Sequence, residues 1–136
     1  MLAFLALLLV STLFGGMTLY SFGFAPLVFR AMPAEAAGRF LRSAFPFYYL
    51  FIIVTAGAAG AALALRDLPS AGLMIAIGLV AVYARQGLMP QINAARDRQL
   101  NGDVAAKARF GRLHGLSVGL NMIQLLAAAY VLYRFL

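Results

Sequence analysis

Four polar side chains stand at helical spacing towards the C-terminal end: His114, Ser117, Asn121 and Gln124 are separated by three, four and three residues. In an α-helix this spacing puts all four on one face. Hydroxyl, carboxamide and imidazole groups can hydrogen-bond a ligand, relay a proton or coordinate an ion. His114 is the only histidine, and a neutral imidazole can bind a metal or haem iron.

Two interpretations of this face stay open. Such side chains often make hydrogen bonds between membrane helices, which contribute roughly 0.6 kcal/mol each. The other interpretation is a site for a small ligand, a proton or an ion, to which arginines would add anion-binding groups. The candidate ligand-binding residues are His114, Ser117, Asn121, Gln124, Arg85, Arg112 and Thr18, and His114 is also the candidate metal ligand.

The remaining reactive residue types indicate a protein without a catalytic centre. The four acidic residues, Glu35, Asp67, Asp97 and Asp103, lie between the apolar stretches and form no carboxylate pair for acid–base catalysis. Cysteine is absent, and the chain has no glycine-rich phosphate loop. The serine and histidine of the polar face lack a third group that would orient the imidazole. We predict that the protein is not an enzyme.

The composition predicts that this polar face lies within a lipid bilayer. The chain is 64% hydrophobic and 11% charged, with a mean hydropathy of +0.91, whereas soluble domains are about 45–50% apolar and about 25% charged. Because so few polar residues cannot cover a soluble domain, the bilayer is the expected partner. The net charge of +7 does not indicate nucleic acid binding, since the basic residues flank apolar stretches.

Four stretches are long and apolar enough to span the membrane as helices. The predicted spans are about residues 1–29, 45–65, 71–89 and 113–133, within a single domain of residues 1–136. The expected fold is all-α, an integral membrane four-helix bundle made of two helical hairpins. Two connecting segments carry apolar residues at helical spacing, which predicts short amphipathic helices at the cytoplasmic surface; they are residues 34–45 and 103–112.

The positively charged residues predict the orientation. Nine of the eleven lie in or beside the connections 30–45 and 90–112, and only Arg66 and Arg134 lie on the other side. Basic loops stay in the cytoplasm, so both termini are expected outside, in a cell inner membrane. An aromatic belt is expected at the cytoplasmic interface; its members are Phe47, Tyr48, Tyr49 and Phe51.

The polar face also carries a family resemblance. Residues 110–121 have the pattern F-x-R-L-H-G-x-S-x-x-x-N, which resembles the fourth helix of the transmembrane-protein-205-like family, a family of unknown function. Residues 23–30 and 93–97 are similar to other parts of the family pattern. The resemblance implies a compact four-helix membrane domain. It also implies a distant likeness to copper-resistance D-type proteins and to the membrane haem-biosynthesis oxidase family, in which haem or a metal would be the ligand.

Three functional hypotheses follow. The first is a protein that binds or moves a small ligand or ion along the polar face. The second is a haem-binding redox protein that uses His114. The third is a structural accessory subunit of a larger membrane complex, and a homo-oligomer is a further expectation, since four spans are few for enclosing a pathway.

Overall fold

The computed structural model describes residues 1–136 and contains only helices and short turns. Four long helices follow one another, each long and apolar enough to cross a membrane: α1 (Leu2–Ala31), α2 (Ala34–Leu63), α3 (Leu68–Leu100) and α4 (Val104–Tyr133). A helix of 30 residues is about 45 Å long, against a hydrocarbon core of about 30 Å. The predicted all-α bundle of four spans is confirmed.

The two amphipathic segments are parts of long helices. Residues 34–45 form the first turns of α2, and residues 104–112 form the first turns of α4. Nothing in either segment stops the helix before the apolar stretch begins, and Pro46 is accommodated inside α2. The expected surface helices are therefore continuous with the spans that follow them.

Small and apolar side chains form the core of the bundle. On α1, Ala6, Val10, Leu13 and Met17 are fully buried at helical spacing. The helices α2 and α3 approach closely because α2 presents glycine and alanine; a Cβ atom at Gly60 would lie 2.8 Å from the side chain of Ile75. Each helix contacts its sequence neighbours, and α1 also packs against α4, which closes the bundle.

Two helices change geometry just before a proline. Residues Leu19–Phe24 of α1 and Ala84–Leu88 of α3 are π-helical, and Pro26 and Pro90 follow them. A proline has no N–H group to donate, and its ring clashes with the carbonyl group four residues earlier. A wider turn lets that carbonyl group find another donor, which a membrane interior requires.

Ion pairs join the helices at both ends of the bundle. The guanidinium group of Arg134, just after α4, donates to both carboxylate oxygens of Asp67 in the α2–α3 turn, at 2.9 and 3.0 Å. At the opposite end, Arg42 of α2 donates to both oxygens of Asp97 on α3, at 2.6 and 3.0 Å. Such bidentate arginine–carboxylate contacts fix the relative positions of the helix ends.

The pair at Asp67 predicts how stability depends on pH. Hydrogen bonds from Arg134, and then from Ser70, lower the pKa of Asp67 to about 2. Since the ordinary pKa is about 3.9, the stabilisation is complete above that value and is lost as the pH falls towards 2. Thermal unfolding in detergent should show that Asp67→Asn lowers the midpoint at pH 7, with a much smaller difference at pH 2.

The matched control is Glu35→Gln, which removes a carboxylate that pairs only with Arg39 within one exposed turn of α2. That variant should unfold close to the wild-type midpoint, because exposed pairs of this kind contribute little. Equal midpoints for Asp67→Asn and Glu35→Gln at pH 7 would contradict a role for Asp67 in holding the helix ends.

Candidate functional site

Asn121 of α4 lies where three helices meet. Its side-chain oxygen accepts a hydrogen bond from the Tyr48 hydroxyl of α2 at 2.6 Å. Its side-chain nitrogen donates to the Ser21 hydroxyl of α1 at 2.9 Å. One carboxamide therefore ties α4 to two other helices, and both of its polar atoms have partners inside the protein.

The neighbouring polar residues of α4 are also held by other helices. The hydroxyl groups of Ser117 and Tyr49 lie 3.0 Å apart. Gln124, which is only 3% exposed, donates to the carbonyl oxygen of Ile77 on α3 at 2.9 Å. Three of the four residues that share the polar face thus make contacts between helices, as expected for polar groups in a membrane interior.

His114 lies apart from these three contacts. Its side chain is exposed, and its ring stacks on Phe110 with centroids 5.6 Å apart. The guanidinium carbon of Arg96 lies 5.4 Å from the centroid of the same Phe110 ring. No group of three or more histidine, cysteine, aspartate or glutamate residues lies close enough together to hold a metal ion. The role of His114 as a metal ligand stays a prediction.

The other candidate residues lie in different local environments. Thr18 donates its hydroxyl to the carbonyl oxygen of Phe14, one turn earlier in the same helix, at 2.8 Å. Arg112 is exposed, whereas Arg85 is half-buried in the π-helical part of α3 and its Nε atom is buried without a hydrogen-bond partner. A common binding role for these seven residues stays a prediction.

A groove between α1 and α2 was not expected from the sequence. It has a volume of about 830 Å³ and is lined mainly by apolar side chains of residues 16–30 and 44–51. The rings of Tyr20 and Tyr48, both lining the groove, stack with centroids 4.0 Å apart and an interplanar angle of 14°. The hydroxyl oxygen of Tyr20 is buried and has no hydrogen-bond partner.

Local features of α1 shape this groove. The π-helical turn carries both Tyr20 and Ser21, so one widened turn supplies a groove side chain and a partner of Asn121. Gly16 leaves room for a ring of α2, since a Cβ atom there would lie 2.5 Å from the Phe51 ring. Any larger residue at this position would displace Phe51 from the groove wall.

The residues of the expected aromatic belt lie in two different environments. Phe47 is 74% exposed, as a belt residue should be, whereas Tyr48 and Tyr49 are only 7% and 5% exposed. Both tyrosines point into the bundle because their hydroxyl groups meet the polar face of α4. The spacing of those polar residues was the available signal, but sequence alone did not say which helix would meet them.

The contact between Tyr48 and Asn121 should appear as a coupling energy. A double-mutant cycle of Tyr48→Phe and Asn121→Leu, measured by reversible unfolding in micelles, should give about 0.6–1.7 kcal/mol. The control cycle pairs Tyr49→Phe with Asn121→Leu; Tyr49 binds Ser117 instead, so the two effects should add within about 0.5 kcal/mol. Additive effects in the Tyr48 cycle would contradict the contact.

Comparison with known proteins gives one finding at the level of the family. The model of a domain of unknown function, DUF4149, matches residues 8–101, which contain most of α1 and all of α2 and α3. The groove residues lie inside the match, while the polar face of α4 lies beyond it. No curated protein and no solved structure matches the chain. The chain belongs to the DUF4149 family, whose function is unknown.

Proposed function

We propose that this protein is a non-enzymatic membrane protein that binds a small apolar or amphipathic ligand, taken from the bilayer, in the groove between α1 and α2. One observation carries the proposal. Tyr48 lines the groove and is at the same time held from behind by Asn121. A groove wall that is fixed in this way is prepared for a ligand before the ligand arrives.

The size and chemistry of the groove support a ligand. Its volume of about 830 Å³ falls within the range of about 300–1,000 Å³ that is usual for small-molecule sites. Such sites are mostly apolar and contain few polar groups that orient the ligand. The groove has this composition, since most of its lining side chains are apolar and Arg30 is its one charged residue.

The polar face of α4 has a positioning role in this proposal. Ser117 and Asn121 hold Tyr49 and Tyr48 in place, and Gln124 fixes α4 against α3. The first hypothesis from the sequence, ligand binding along this face, is therefore changed in one respect. The ligand lies on the groove side of Tyr48, and Asn121 acts on it through that tyrosine.

We also propose a family relationship narrower than DUF4149, to the transmembrane-protein-205-like proteins. The pattern at residues 110–121 and the similar segments 23–30 and 93–97 support placement with the transmembrane-protein-205-like proteins. The likeness to copper-resistance D-type and haem-biosynthesis proteins gains no support from the position of His114, which stacks on Phe110. Neither haem binding nor a role as an accessory subunit is favoured by a specific contact.

The orientation proposed for the chain follows its charge distribution. Both termini and the α2–α3 turn would lie outside the inner membrane, and the α1–α2 and α3–α4 turns would lie in the cytoplasm. Because the chain has no cysteine, single cysteines introduced in place of Leu65 and Asn101 can be labelled to show on which side of the membrane each turn lies. A membrane-impermeant maleimide should label Leu65→Cys in intact spheroplasts, and Asn101→Cys only after lysis. The reverse labelling pattern would contradict the proposed orientation.

A blocked groove should lose its ligand. Ala44 lines the groove and is half-buried, so Ala44→Phe should fill part of the space. Native mass spectrometry of protein extracted from membranes should show a bound molecule on the wild type, and most of it should be absent from Ala44→Phe. The control is Ala58→Phe, a position of α2 outside the groove, which should keep the molecule. Equal retention by both variants, or none on the wild type, would contradict the proposal.

A further inference from the structure

The charges of the chain leave one arginine free at the end of the groove. All four acidic residues are paired with arginines: Glu35 with Arg39, Asp97 with Arg42, Asp103 with Arg98, and Asp67 with Arg134. These pairs use four of the eleven basic residues, which leaves seven without an acidic partner. Among these seven, only Arg30 lines the groove. Its side chain is exposed and makes no hydrogen bond or ion pair within the protein.

From this arrangement we infer that the groove binds a phospholipid with a net negative headgroup, whose phosphate contacts Arg30 and whose acyl chain lies along α1. The inference rests on the proposed function and names the class of ligand. A guanidinium group without an internal partner can donate two parallel hydrogen bonds to one phosphate. No carboxylate lines the groove, so nothing there repels an anion.

The length of the groove agrees with a lipid of one leaflet. The lining residues of α1 run from Gly16 to Arg30, which corresponds to about 21 Å along the helix. Half of the hydrocarbon core is about 15 Å thick, so the groove covers one leaflet and reaches the headgroup region. The lining side chains between the ends, Leu19, Phe22 and Leu27 among them, are apolar, as the acyl chain requires.

The unpaired charge of Arg30 favours an anionic over a zwitterionic headgroup. Arg30 belongs to the end of the bundle where Arg39 and Arg42 also lie, and both of these neighbours already bind carboxylates. A zwitterionic headgroup would bring its own positive charge close to Arg30, whereas a net negative headgroup would not. The preference for an anionic headgroup should therefore depend on Arg30 itself.

The test uses a tryptophan reporter, because the chain has no tryptophan of its own. Phe22→Trp places the indole in the groove, and Ile123→Trp places it on an exposed surface of α4. Each variant is reconstituted in vesicles of phosphatidylcholine that contain a rising fraction of brominated phosphatidylglycerol or brominated phosphatidylcholine. Quenching of tryptophan fluorescence measures how often each brominated lipid contacts the indole.

In the Phe22→Trp protein, brominated phosphatidylglycerol should bind about fivefold more strongly than brominated phosphatidylcholine. In the Ile123→Trp protein the two lipids should quench equally. Added to Phe22→Trp, Arg30→Gln should bring the ratio close to one, Arg30→Lys should keep part of it, and the matched control Arg109→Gln should leave it unchanged. A ratio of one for Phe22→Trp alone, or a ratio that survives Arg30→Gln, would overturn the inference.

A second comparison separates this inference from the proposed function. Ala44→Phe combined with Phe22→Trp should reduce quenching by either lipid, since it fills the groove. If Ala44→Phe has this effect but the two lipids bind equally, the headgroup claim fails and the groove claim stands. If Ala44→Phe leaves quenching by both lipids unchanged, the acyl chain does not enter the groove and the lipid inference fails, whereas the proposed function is decided by whether Ala44→Phe loses the molecule seen by mass spectrometry.

Discussion

The hydrogen bonds of Asn121 determine how three of the four helices meet. In a lipid interior no water can replace a missing partner, so a carboxamide on a membrane helix must find its donor and acceptor within the protein. Asn121 does so on α1 and α2 simultaneously, through Ser21 and Tyr48. These contacts join α4 to Tyr48 of α2 and to Ser21 in the widened turn of α1, which precedes Pro26.

The groove is a consequence of the same constraint. Because Tyr48 is turned towards α4, its ring lies against Tyr20 and does not fill the space between α1 and α2. Phe47, its neighbour in the sequence, points outward and helps to form the opening. A polar contact in the centre of the bundle thus leaves an apolar surface that a lipid-like molecule can cover.

Some charged residues hold the helices together in ion pairs, and others stay unpaired and can bind an anion. Pairs at both ends hold the order of the helices, through Asp67 with Arg134 and through Asp97 with Arg42. Every carboxylate side chain is used in an ion pair, and six of the seven remaining basic residues, all except Arg66, give one end of the bundle an excess of positive charge. That excess would hold the protein in its proposed orientation and would draw anionic headgroups towards the groove.

The spans could be predicted because twenty apolar residues in succession have few alternatives to a membrane helix. The inward direction of Asn121 and Gln124 followed from the cost of exposing them to lipid. His114 shares their spacing, yet its side chain is exposed, since it lies two turns nearer the N-terminal end of α4 than Asn121 and stacks on Phe110 of its own helix. The groove could not be predicted, since it depends on a π-helical turn and on the packing of two helices.

A structure of the protein in lipid nanodiscs that contain phosphatidylglycerol tests the central claim most directly. We expect the Tyr48 hydroxyl to lie within hydrogen-bonding distance of the Asn121 carboxamide, and elongated density to fill the groove between α1 and α2. Tyr48 turned away from Asn121, with the groove closed by the side chains of α1 and α2, would contradict it.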